Sequence, residues 1–314
     1  MATYAWIGLG NMGGPMSANL VKAGHTVFGF DLDPTAMEQA ASAGVTPAES
    51  IAQAVEGVDV VFTMLPKGEH VRAVYDGGEG IWAHANTGTL LIDSSTVDVE
   101  TSQYCHDEST RLGFRFVDAP VSGGVSGAEA ATLAFMAGGE RDAVQQAFEY
   151  IEPMAGNTFA AGGPTTGIAA KICNNMMLFI NLMGAAEGSQ LADRLGLDPQ
   201  VFWDIVTASS GNSWAQQTWY PMPGTVDSAA SNRNYDAVFR TDLALKDVTL
   251  ALEAGESTNL SLKAAELARQ RLTHLVDEGL ADKDCSLITK MVSPDGTAPG
   301  YEGTEPVTKS ARAD

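Results

Sequence analysis

The stretch "YAWIGLGNMGGPM" runs from Tyr4 to Met16 and decides the fold. It opens as an apolar run, breaks at Gly8, Gly10 and Gly13, and continues as a helical pattern over Met12–Ala23. Strand, glycine turn and helix in that order predict the first β-α unit of a doubly wound sheet. Gly8 permits the tight turn, Gly10 lets a pyrophosphate approach the backbone, and Gly13 lets helix and strand pack closely. The phosphates then rest on N–H groups at a helix N-terminus. GxGxxG alone is a weak signal, and an ordinary βα turn is its alternative. The strand–turn–helix setting makes it specific. Leu9, Asn11 and Met12 complete the expected cofactor cradle.

Working outward, "HTVFGFD" (His25–Asp31) is the second strand, and Asp31 closes it roughly twenty residues after Gly8. A carboxylate there accepts hydrogen bonds from adenosine ribose hydroxyls and repels a 2′-phosphate. No basic residue lies between Asp31 and Thr46, so NAD is expected rather than NADP. A plain turn role is the alternative for Asp31, although Asp33, just before Pro34, is the more obvious turn residue.

Further strands are expected at Asp59–Pro66, Thr89–Ser95, Phe114–Pro120, Ala131–Gly139 and Asn157–Gly163, with helices between them such as Thr101–Leu112. Their apolar character on both faces suits a covered parallel sheet. From Thr165 onward the strand signal ends. Helical patterns follow over Thr166–Leu195, Asp198–Ala208, Phe239–Ala254 and Leu260–Glu278. The expected fold is α/β: an N-terminal Rossmann-type doubly wound parallel sheet over 1–164, then an all-α domain over 165–290 opened by a long helix. The Pro- and Gly-rich residues 291–314 are expected to form a flexible tail.

The 314 residues carry 18 Lys+Arg against 39 Asp+Glu, a formal charge of -21. That excess repels nucleic-acid phosphates and anionic membrane surfaces. The Gly167–Leu191 segment is apolar enough to suggest a membrane span. It carries Lys171, Asn174, Asn175, Asn181, Glu187 and Gln190, however, which a bilayer would penalise by several kcal/mol. A buried bundle helix is expected instead. Three scattered cysteines and five histidines without HxH, HxxxH or HxxEH spacing predict neither a disulfide framework nor a metal site. With no basic n-region at the start, a cytoplasmic protein is expected.

A second small-residue loop, "DAPVSGGVSGAEAATL" (Asp118–Leu133), places Ser122, Gly123 and Gly124 where backbone N–H groups can form an anion nest. A substrate carboxylate suits it; a flexible turn is the open alternative.

"GLGNMGGPM", "DAPVSGGVSGA" and "GIAAKICNN", in this order and spacing, resemble the β-hydroxyacid dehydrogenase family from about Met1 to Lys290. "KICNNM", "RLGLDP", "SSGNSW" and "FRTDLALKD" are similar to its 3-hydroxyisobutyrate-oxidising members. The resemblance implies NAD-dependent oxidation of 3-hydroxyisobutyrate to methylmalonate semialdehyde, a step of valine catabolism. It implies cofactor contacts at Leu65, Pro66, His70, Thr96 and Lys246, a substrate carboxylate held by Ser122, Gly123 and Gly124, Lys171 as acid/base and Asn175 as its helper. Lys246 is expected to close over cofactor and substrate. His70 stands where many relatives have Asn, which leaves a purely structural role open. Ala131 stands where many have Gly, and a small packing change is expected. Trp214, Phe239 and Met177 are expected pocket walls.

Gly167, Lys171 and Asn175 are spaced i, i+4, i+8 and form one helix stripe. Gly167 is expected to make room for a ring. An unpaired lysine on an apolar helix is costly, so Lys171 either pairs or snorkels, or it works as a base. Burial and a cationic nicotinamide ring both disfavour its ammonium, which suits proton transfer. The family alternative is a tartronate-semialdehyde reductase or another short β-hydroxyacid dehydrogenase. The alternative of a different class is a non-catalytic cofactor-binding interaction protein. An apolar long helix predicts a homodimer or homotetramer.

Overall fold

The computed structural model describes residues 1–303. The chain falls into two units, Met1–Asn174 and the residues from Asn175 on.

The first unit contains nine strands: β1 (Thr3–Ile7), β2 (Thr26–Phe30), β3 (Thr46–Pro47), β4 (Val60–Thr63), β5 (Leu90–Asp93), β6 (Arg115–Asp118), β7 (Val121–Ser122), β8 (Leu133–Gly139) and β9 (Ala155–Gly162). Its helices are α1 (Gly13–Lys22), α2 (Pro34–Ser42), α3 (Ile51–Val55), α4 (Gly68–Tyr75), α5 (Ile81–His84), α6 (Val99–Leu112), α7 (Gly124–Ala130), α8 (Arg141–Ile151) and the first turns of α9 (Thr166–Arg194). The strands form one sheet in the order β3-β2-β1-β4-β5-β6-β8-β7, with β9 paired to β8.

From β3 through β6 every pairing is parallel. All of β4 and β5 is buried, as strands covered by helices on both faces must be. The chain order reverses at β1, between β2 and β4, and the crevice beyond such a switch point is where α/β sheets bind ligands. The glycine turn opens there.

The sheet is mixed rather than wholly parallel, because β8 runs antiparallel to β6 and β7. Only residues 123–132 join β7 to β8. A crossover to a parallel neighbour needs a dozen or more residues, so the chain folds straight back. The two-residue β3 and the short helices α3 and α5 had no pattern long enough to predict them.

The second unit holds the rest of α9 with α10 (Pro199–Thr207), α11 (Trp214–Thr218), α12 (Thr241–Ser257) and α13 (Lys263–Asp277). Phe179, Leu182, Val248, Leu272 and Leu287 are among the residues at its core. Asp198 caps α10 by accepting from the N–H groups of Gln200 and Val201, and Pro199 opens it. The helix α9 is less buried than expected: 39% of an apolar 18-residue stretch of it lies inside the protein. Cys173, Met177, Asn181 and Leu191 mark an exposed face.

Residues 291–303, expected to begin a loose tail, are packed. Tyr301 lies against the helical core, the Tyr235 hydroxyl donates to the Pro299 carbonyl at 3.0 Å, and the Glu302 N–H donates to Asn234 Oδ1 at 2.9 Å. Pro and Gly composition hides the aromatic anchor that fixes this segment. Residues 304–314 of that expected tail lie outside the described residues.

Candidate active site

The glycine turn is held from several sides. Gly8 has φ +97°, and a Cβ on it would strike the Met64 carbonyl and the Leu65 side chain. A Cβ on Gly13 would overlap the Gly8 carbonyl and the Trp6 indole. Trp6 Nε1 donates to that carbonyl at 2.9 Å, and the indole stacks on Phe62 at 5.0 Å. A Cβ on Gly10 would meet nothing within 4 Å. The turn therefore closes inward at Gly8 and Gly13 and stays open at Gly10, with Asn11 exposed beside it.

Met12 caps α1 with no side-chain hydrogen bond, and the first turn contains no acidic residue. The Gly14 N–H is taken by the Gly10 carbonyl and Pro15 has none, so it is mainly the partial positive charge of the terminus that suits an anionic phosphate. Asp31 Oδ2 accepts from the Leu9 N–H at 2.6 Å, and its Oδ1 from the Asp33 N–H at 2.8 Å. It ties the turn to the end of β2. Each carboxylate oxygen retains acceptor capacity for a ribose hydroxyl. Asp33 caps α2 through the Thr35 N–H. These residues fit a dinucleotide.

The loops after β4 and β5 are laced together. The Leu65 N–H donates to Ser95 Oγ at 2.8 Å. Ser95 Oγ and Thr63 Oγ1 in turn donate to Asp93 Oδ1 at 2.6 and 2.7 Å. Burial pushes the Asp93 carboxyl above its ordinary range, against the pull of those hydroxyls. Pro66 is exposed and Thr96 half-buried on these loops. His70 is exposed on α4, 3.9 Å from the Glu69 carboxylate.

In the second loop Gly123 and Gly124 have φ of 136° and 65°. Ser122 is fixed by the pairing of β7 to Ala134 of β8. Asn19 of α1 donates to the Ala128 carbonyl of α7 at 2.6 Å, joining the cofactor helix to this loop. Ala131 has φ 56° as the C-cap of α7. Its difference from glycine therefore includes a backbone conformation that glycine adopts at less cost, a feature beyond the small packing change expected there.

Lys171 is buried in the first unit, 7% exposed. Gly167, one turn before it, makes no room for a ring. A Cβ there would strike the carbonyl oxygens of Met136 and Asp118, so the helix start presses directly on the ends of β8 and β6. The Asp118 carboxylate lies in the same place. Its Oδ1 accepts from the Thr165 N–H at 3.0 Å and its Oδ2 from the Ile168 N–H at 2.8 Å.

In the second unit, Asn175 Nδ2 donates to Asp247 Oδ2 at 2.6 Å, and Lys246 Nζ lies 3.3 Å from Asp247 Oδ1. A carboxylate only accepts, so the amide group of Asn175 must face Asp247 and its orientation is set. Phe239 packs 5.6 Å from Phe179 and 6.1 Å from Trp219, with Trp214 edge-on to Trp219 at 5.0 Å. Trp214 and Met177 are more than half exposed. Sequence reasoning named the members of these groups but missed the carboxylates that join them: Asp93, Asp118 and Asp247. Among the described residues, no group of three or more His, Cys, Asp or Glu could hold a metal ion.

An open helix terminus after β1, an acid at the end of β2 and a glycine-rich loop leading toward a buried lysine's helix define an NAD-dependent dehydrogenase. Residues 3–163 match the model described as the NAD binding domain of 6-phosphogluconate dehydrogenase. Residues 165–292 match the one described as "NAD-binding of NADP-dependent 3-hydroxyisobutyrate dehydrogenase". A probable 3-hydroxyisobutyrate dehydrogenase of Mycobacterium tuberculosis is 47% identical over 258 residues, 82% of this chain and 87% of that protein. An NAD-dependent L-serine dehydrogenase of Pseudomonas aeruginosa is 38% identical over 294 residues, 94% of this chain and 99% of that protein. The solved Mycobacterium tuberculosis 3-hydroxyisobutyrate dehydrogenase with L-serine superposes with a TM-score of 0.87 at 43% identity, covering 93% of this chain and 99% of that one. The chain belongs to the β-hydroxyacid dehydrogenase family, among the 3-hydroxyisobutyrate dehydrogenases. It is an NAD-dependent oxidoreductase of hydroxyacids.

Proposed function

We propose that this enzyme oxidises 3-hydroxyisobutyrate to methylmalonate semialdehyde, with Lys171 as general acid/base. The observation that carries the reading is the buried Lys171 on a helix docked against the strand that leads into Ser122–Gly124. NAD, when bound, accepts the hydride. The N–H groups of Ser122, Gly123 and Gly124 hold the substrate carboxylate. Lys171, as the amine, takes the hydroxyl proton; as the ammonium it returns a proton to the carbonyl oxygen in reverse. Asn175, one helical turn further, orients the same oxygen, its own amide fixed by Asp247. Lys246, beside Asp247, contacts cofactor and substrate. Gly8–Gly13 and Asp31 hold the dinucleotide, with Leu65, Pro66 and Thr96 along it. His70 faces solvent beside Glu69, which favours its structural role.

A second reading is favoured by the relatives: the Pseudomonas aeruginosa enzyme is named for L-serine. Serine carries an ammonium where 3-hydroxyisobutyrate carries a methyl group. The test is a panel of 3-hydroxyisobutyrate, L-serine, glycerate and tartronate semialdehyde, each assayed with NAD and NADP nucleotides. The expected result is highest kcat/KM for 3-hydroxyisobutyrate with NAD, by about 10- to 200-fold over its analogues, the worth of one methyl group in an apolar pocket. Preference for serine supports the second reading. Preference for NADP removes the ribose role of Asp31. Cofactor affinity without turnover supports a binding module.

We infer further that a second copy covers the apolar face bearing Met177, Leu191 and Leu195 together with α10. That helix has no buried residue although Val201 and Ile205 lie on it, each about half exposed. A homodimer or homotetramer follows. Three free thiols suit a reducing compartment such as the cytoplasm.

A further inference from the structure

The buried pair His106–Asp118 takes no part in the reaction proposed above. His106 sits on α6 and Asp118 ends β6, 6% and 1% exposed. His106 Nε2 lies 2.7 Å from Asp118 Oδ1. Both Asp118 oxygens accept backbone N–H groups, from Thr165 and Ile168, so the imidazole is the donor of that third hydrogen bond. The same residue's backbone leads through Ala119 and Pro120 into Ser122–Gly124. Asp118 is thus one rigid link between the carboxylate loop and the first turn of the helix bearing Lys171.

Two further observations show how tightly that link is drawn. Thr165, whose N–H the carboxylate holds, has φ 67°, a left-handed conformation that a β-branched residue keeps only when its surroundings enforce it. Gly138 of β8 and Gly167 both lie where a Cβ would collide with the other side of this junction: for Gly138 the Gly167 nitrogen at 2.5 Å and Asp118 Oδ1 at 2.8 Å, for Gly167 Asp118 Oδ2 at 2.8 Å. Close backbone approach on one face and a charged cap on the other leave the helix start a single seat.

We propose that Asp118 is a positioning residue for proton transfer, setting where Lys171 stands relative to the loop that holds the substrate carboxylate, and that His106 fixes Asp118 in turn. The proposal rests on Lys171 being the acid/base. Loss of the cap leaves two backbone N–H groups and the imidazole without their acceptor, and the first turn of α9 shifts. Displacement of a reacting group by about 1 Å costs on the order of a hundredfold in rate.

The test compares Asp118→Asn, His106→Ala and His106→Gln with Lys171→Ala in the full-length enzyme, by steady-state kinetics, NAD titration and thermal melting. Asp118→Asn is expected to lower kcat about ten- to a hundredfold, with KM and the NAD Kd within about threefold of wild type. His106→Ala should lower kcat several-fold, and His106→Gln, whose amide can donate to Asp118, should recover most of it. The proposal is overturned if Asp118→Asn and His106→Ala keep kcat within twofold. It is equally overturned if their activity loss only tracks loss of NAD-binding molecules, including an Asp118→Asn chain that does not fold, since the role is then structural. If Lys171→Ala itself turns over normally, the acid/base reading fails instead, and the two failures are told apart.

Discussion

The helix α1 begins at Gly13 with no side chain on its first N–H groups and no acid in its first turn. The helix α9 begins under Asp118, whose carboxylate takes the N–H groups of Thr165 and Ile168. Both termini carry the same partial positive charge, although at α1 the Gly14 N–H is already taken by the Gly10 carbonyl and Pro15 has none. One is satisfied by the chain itself and becomes a fixed joint. The other has no side-chain cap, in a chain that has 39 acidic residues available to cap it. On the proposed function, rigidity goes to the helix that bears Lys171, and openness to the helix that would receive the cofactor phosphates.

Lys171→Ala gives the largest effect and isolates the rigid terminus. Turnover should fall by roughly a hundredfold to ten-thousandfold, the usual worth of a positioned acid/base. NAD affinity and melting temperature should hold, because the glycine turn and Asp31 lie elsewhere and alanine is a good helix former. Lys171→Arg should not restore turnover, since a guanidinium cannot give up its proton. Early melting or lost NAD binding in Lys171→Ala would show a structural lysine and erase the contrast.

The open terminus is sharpened by two alanines three residues apart. Gly10→Ala adds a methyl group in open space, so the fold should be unchanged while NAD binds about tenfold or more weakly. Gly13→Ala drives a methyl group into the Gly8 carbonyl, so stability should also drop by about 1–3 kcal/mol. Isothermal titration with NAD beside thermal melting separates them. Equal NAD affinity in Gly10→Ala and wild type would mean no phosphate approaches there.

The smallest effect is at the far end of a third helix. Ala131→Gly relieves a left-handed residue and should stabilise by ~1 kcal/mol, a rise in Tm of about 2 °C, with kinetics unchanged. A lower Tm would show that Ala131 is held by packing after all.

Features written in adjacent residues were legible in the sequence. The strand–turn–helix at Tyr4–Met16, the small-residue loop at Ser122–Gly124 and the stripe of Lys171 and Asn175 are all local patterns. What was not legible depends on residues meeting across the chain. Asp118 meets its helix about fifty residues later, and Asp247 meets Asn175 72 residues away. Gly167 looked like room for a ring because it shares a helix stripe with Lys171 and Asn175. Its real partners are carbonyls of strands that no periodicity places beneath it. The reversal of β8 was likewise a matter of connection length, which reads clearly only once β7 is located.

Trp6 gives the turn an optical consequence. Its indole is fully buried, hydrogen-bonded to the Gly8 carbonyl and stacked within about 6° of parallel on Phe62. A chromophore bonded to the backbone of the glycine turn is sensitive to a change at that carbonyl. Its emission is also open to energy transfer to a reduced nicotinamide. On the proposed function, the occupancy of the glycine turn is encoded in light from the strand beside it, and a chain stripped of its other tryptophans would report cofactor arrival without a label.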